Sequence, residues 1–166
     1  MGKASRKKHS KRQQIANLEK YSGVKLSEAL IDICEPYDYD DLSLAEYKKL
    51  MAMAALAWNI ANQPKDSRHE ALLGFVKSMP EFKEELETDV NQFMANKDPQ
   101  AEPPTSIVML QIVSALIQRK DELYPNDDRV VMDFKVTETP TDRHLSVSSI
   151  IPNASRIGVA EQLANG

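Results

Sequence analysis

The sequence predicts an α+β fold: a mostly helical domain of about five helices, a C-terminal two-stranded antiparallel hairpin, and a disordered basic N-terminal arm. Three observations predict it. Apolar residues recur at three- and four-residue steps from Leu26 to Leu116, the period changes to two from Val130, and Met1 to Leu18 carry six cations and no acid. The organisation that follows is an arm at 1–20, a single globular domain at 21–151 and a C-terminal tail at 152–166. With 42% apolar and 28% charged residues in 166, the chain has the balance of a soluble domain able to build one core without disulfides.

The helices are read in order. Leu26, Ala29, Leu30 and Ile33 form one stripe on a short helix that Pro36 stops, and Glu35 to Asp41 is an acidic loop. Ser43 and Glu46 have the spacing of a capping box. The helix they open is apolar from Leu50 to Ile60 at every position but Asn59, so burial on most sides is expected. Pro64 closes it. Ser67 and Glu70 repeat the capping-box spacing ahead of a helix bearing Leu72, Leu73, Phe75, Val76 and Met79, which Pro80 stops. From Glu81 to Asn96, Phe82, Leu86, Val90 and Phe93 share one face with acids opposite, the pattern of a peripheral helix. Pro99, Pro103 and Pro104 mark a loop, and Thr105 or Ser106 is expected to cap a helix whose buried stripe is Met109, Ile112, Val113 and Leu116. Arg119 and Lys120 suit its C-terminal end.

Beyond Pro125 and Asn126, Val130, Met132, Phe134 and Val136 are expected to face one way, with Asp133, Lys135 and Thr137 facing the other. The second strand is expected at His144 to Ile151, with Thr139-Pro140-Thr141-Asp142 as the turn. A two-stranded sheet is marginal in water, so it should lean on helices or extend through a second copy of the chain, a homodimer through the hairpin edge.

The arm is the strongest functional signal. Lys3, Arg6, Lys7, Lys8, Lys11 and Arg12 give Met1 to Leu18 a charge of +6, whereas the remaining residues sum to −10. Such a segment repels itself and is drawn to a polyanion, and these six residues are the candidate nucleic-acid contacts. No aromatic lies among them, so base stacking is not available from the arm. The expected partners are RNA or another polyanion and, for the acidic body, a protein. The leading expectation is a cytoplasmic accessory protein, not an enzyme, whose arm contacts RNA or the ribosome. The competing expectation is a protein-interaction module, a regulator or an immunity-type inhibitor, with the arm serving only solubility.

Other chemistry finds little support. Cys34 is the one cysteine and sits on the apolar stripe, where a thiolate is disfavoured. The acidic loop lacks the glycine and terminal glutamate of an EF-hand, and His9, His69 and His144 have no metal-ligand spacing. The five glycines never cluster, so no phosphate-cradling loop is present. No catalytic residue, metal or cofactor is therefore expected. No apolar run reaches the roughly 20 residues of a membrane span, and Gln13 and Gln14 interrupt any secretory pattern after the basic residues, so no membrane association is expected.

Overall fold

The computed structural model describes residues 23–152, so the six arm cations and the C-terminal tail lie outside the described residues. Five α-helices and one antiparallel hairpin are present within that span, in the predicted order. The described residues form two compact units, residues 33–125 and a second that joins residues 23–32 to residues 126–152.

Helix α1, Leu26–Ile33, buries Leu26, Ala29, Leu30 and Ile33, the four positions of its stripe. It ends in a turn where Tyr37 N–H donates to the Cys34 carbonyl at 2.9 Å, and Pro36 within that turn has no N–H with which to continue the helix. Helix α2, Leu44–Ala61, opens on the expected capping box. The Glu46 amide donates to Ser43 Oγ at 3.3 Å and the Ser43 amide to a Glu46 carboxylate oxygen at 2.9 Å. These bonds satisfy two amides that a helix start leaves open, and they hold the Glu46 carboxyl below its ordinary value, the Ser43 bonds contributing most. Nine of its residues are buried, Met51, Ala54, Ala57 and Trp58 completely, which makes α2 the centre of the helical unit. It packs chiefly on α5, Thr105–Leu123, which contributes Val113 and Leu116.

Between them in sequence lie α3, Arg68–Ser78, and α4, Pro80–Ala95. Pro80 does two jobs: it cannot continue α3, and its fixed φ suits the first turn of α4, where its missing N–H costs nothing. Helix α4 buries no residue fully, as the peripheral pattern predicted.

Two capping expectations are corrected. Ser67 makes no side-chain cap bond: Lys65–Ser67 already form a 3₁₀ turn, and Ser67 has helical angles (φ −95°, ψ −9°) in place of the extended ones a capping residue needs. Arg68 fixes this entry instead. Its guanidinium donates to the carbonyls of Gln63 and Ala61 at 3.1 and 2.5 Å and grips both Asp121 oxygens on α5 at 2.5 and 2.9 Å. Neither Thr105 nor Ser106 caps α5, whose cap position is Pro104. Ser106 lies inside the helix, 1% exposed, and donates to Asp89 Oδ2 on α4 at 2.5 Å.

In the second unit, β1, Val130–Glu138, pairs with β2, Arg143–Ile150. Thr139 and Asp142 close the turn, the Thr139 amide donating to the Asp142 carbonyl at 2.8 Å and the Asp142 amide to Thr139 Oγ1 at 3.0 Å. The predicted alternation holds only beyond Asp133. Val131 is opposite Ser149 and Asp133 opposite Ser148, so Met132 is an extra residue that reverses the faces. Val131, not Val130 or Met132, is therefore buried alongside Val136 and Leu145, while Met132 is 61% exposed. Arg129 and Asp127, both buried, form an ion pair at 2.5 Å. A further Arg129 bond to the Val24 carbonyl at 3.1 Å joins the approach to α1 to the approach to β1.

Candidate functional site

The acidic loop does not build a cation site. Asp38 precedes a 3₁₀ turn at Tyr39–Asp41, Glu35 faces Arg119 at 3.7 Å, and no group of three or more His, Cys, Asp or Glu among the described residues is placed to hold a metal. Cys34 is fully buried next to this loop, and burial pushes its thiol up to about 12 despite the opposing pull of Arg119. A group so hard to ionise is a poor nucleophile at neutral pH, in keeping with its place on the stripe. Arg119 Nε meanwhile donates to the Ile33 carbonyl at 2.9 Å, satisfying an acceptor left open by the end of α1.

Trp58 is part of the core, fully buried. Its ring lies 5.7 Å from that of Tyr124 and 5.1 Å from Lys120 Nζ. Lys120, which the sequence places near the C-terminal end of α5, is only 2% exposed, its ammonium resting over the indole face. Substituting Trp58 would remove packing and a cation–π contact together.

On the hairpin, Asp133, Lys135, His144, Ser146 and Ser148 share the polar face foreseen from the alternation. Lys135 is opposite Ser146 and Asp133 opposite Ser148. These pairs are solvent-exposed, and the hairpin's firmest polar contact is at its turn end, where Arg143 meets Glu138 at 2.7 Å.

The helical unit holds a concavity with the character of a binding site. A groove of about 380 Å³ lies among α2, α3, α4 and α5. Helix α2 lines it with Lys49, Ala52, Met53 and Leu56, α3 with Phe75, the junction of α3 and α4 with Met79, α4 with Phe82, and α5 with Met109, Leu110 and Val113. Every lining residue but Lys49 is apolar. A second, shallower groove of about 430 Å³ runs between α3 and α4 past Leu73, Val76, Leu86 and Val90, with Lys77, Lys83 and Glu87 at its sides. No known protein family, curated protein or solved structure matches the chain. The site is therefore argued from its own residues.

Helix α4 walls the first groove without filling it. Ser106 and Asp89 clasp α4 to α5 on one side, yet α4 contributes only half-buried side chains such as Phe82 and Leu86 to the interior. Periodicity marks Met53, Phe75, Phe82 and Met109 as core positions, and in the structure all four remain half-buried around the groove. Nothing in a periodic pattern distinguishes an apolar wall from an apolar core. Among the described residues no buried side-chain nitrogen or oxygen lacks a hydrogen-bond partner, so the groove's specificity must come from shape and from Lys49.

Proposed function

We propose that this chain is a cytoplasmic binding protein that attaches to RNA or a ribosomal surface through Lys3, Arg6, Lys7, Lys8, Lys11 and Arg12, and that its acidic body recognises a protein partner. The observation that carries the reading is the partition of charge, +6 over Met1 to Leu18 against −10 over the rest. Dense cationic segments gain affinity for nucleic acid by releasing condensed counterions, which needs no folded recognition surface. Support for the second half comes from α4, where Glu81, Glu84, Glu85 and Glu87 are all exposed and would favour a basic partner surface.

Binding of the full chain to a single-stranded RNA should weaken as salt rises, log K falling by about 4 per decade if all six cations meet phosphates. Removing residues 1–18 should abolish that binding. Retention that is indifferent to salt, or unchanged by the deletion, would overturn the RNA reading. Partner capture that survives both the deletion and nuclease treatment would favour the interaction-module reading, with the arm as a solubilising segment. In that reading the hairpin edge is the place for a second copy to add a strand.

A further inference from the structure

We infer that the groove among α2, α3, α4 and α5 binds a single straight-chain amphiphile carrying one negative charge, a fatty-acid-type carboxylate, with its aliphatic tail among the apolar walls and its head group at Lys49. This does not depend on the RNA reading. Exposed apolar surface gathered into one concavity marks a ligand-binding groove more often than scattered surface residues do, and this one has a volume of about 380 Å³. Small-ligand pockets start at roughly 300 Å³, and an apolar cavity of roughly 150 Å³ already holds benzene.

The lining selects the occupant's chemistry. Met53, Met79 and Met109 supply three flexible, polarisable walls that adapt to a chain of methylenes better than to a rigid polar ligand. Phe75 and Phe82 face the same space from α3 and α4. No neutral polar residue lines the groove, which disfavours sugars, nucleotides and peptides with backbone groups to satisfy. The single charge is Lys49, which is exposed and forms no ion pair within 4 Å among the described residues. Glu46, three residues before it, has its carboxylate bonded to the Ser43 amide; it is attracted to Lys49 but forms no ion pair with it within 4 Å. A cation beside an otherwise wholly apolar groove complements an anion with an aliphatic tail, and it opposes a cationic one.

The full chain should be titrated with dodecanoate, dodecanol and dodecyltrimethylammonium below their micelle concentrations. The readout is the methyl resonances of the methionines. Dodecanoate should shift Met53, Met79 and Met109 and leave Met94, which is outside the groove, unmoved. It should bind more tightly than dodecanol, and the ammonium compound should bind least. Lys49→Met should weaken dodecanoate about two- to fivefold, the range for one partly exposed ion pair, and leave dodecanol unchanged. Lys49→Glu should weaken it further. Ala52→Trp, at an exposed helical position on the groove wall, should block all three ligands while the circular dichroism spectrum stays native. The proposal falls if no ligand shifts the groove methionines, if dodecanol matches dodecanoate, or if dodecanoate binds Lys49→Glu as well as it binds the parent chain.

Discussion

Arg68 holds the start of α3 in place of a capping side chain. It binds two carbonyls at the end of α2 and both oxygens of Asp121, so one planar guanidinium ties the start of α3 to α5. The hydrogen bonds from Arg68 are the main reason that the Asp121 carboxyl is held below its ordinary 3.8, ahead of the opposing effect of burial. A carboxyl with a depressed folded value stabilises the protein above its unfolded value, and that contribution disappears as pH falls through the folded value. Arg68→Met should therefore cost about 1–2 kcal/mol at pH 7, since bonds to charged groups are stronger than average but this pair is partly exposed. Asp121→Asn should cost somewhat less at pH 7. Its difference from the parent should stay full above about pH 5 and close as pH drops below 3.8, which urea denaturation at stepped pH would measure. A gap that persists unchanged in acid would mean that the carboxylate charge is not what Arg68 holds.

Among the elements, the helices were legible because their apolar stripes and proline stops agree with each other. Leu26, Ala29, Leu30 and Ile33 are all buried, and Pro64 and Pro80 mark the end of α2 and the boundary of α3 with α4. The capping signals were less reliable: Ser43–Glu46 forms its box, whereas Ser67–Glu70 has the same spacing and does not. Whether a serine caps depends on its own backbone angles, which spacing does not report. The hairpin shows a related limit. Val130, Val131 and Met132 are consecutive apolar residues, so either phase of the strand is consistent with the pattern until Asp133. The structure resolves the choice with a bulge at Met132, and Asp133 Oδ1 accepts the Phe134 amide at 2.8 Å where the pairing slips. Two substitutions test this. Met132→Lys should change stability by no more than about 0.5 kcal/mol, as for most surface positions. Val131→Lys should cost about 2 kcal/mol or more, because Val131 is 6% exposed and would leave a charge to find its way out. Denaturation curves showing the reverse order would restore the regular alternation and remove the bulge.

At the scale of the whole molecule, the sequence shows where charge lies more clearly than where a ligand would bind. The groove was not legible, since its apolar residues carry the signature of a core and only the assembled helices reveal that they leave space between them. Charge partition, by contrast, needs no folding to be read. Its consequence is also testable without a structure of the arm. If the six cations act only as charge, affinity for RNA depends on their number and not on their order, because no aromatic among Met1 to Leu18 is present to stack on bases. Shuffling residues 2–18 at fixed composition should leave the affinity for single-stranded RNA within about twofold of the parent. Replacing the cations with alanine one at a time should reduce the salt slope by about 0.7 per residue removed, whichever is chosen. Filter binding across a salt series would measure both. A shuffled arm that loses most of its affinity, or one lysine whose loss outweighs the rest, would mean that the arm presents a defined surface and that charge density alone is the wrong account of it.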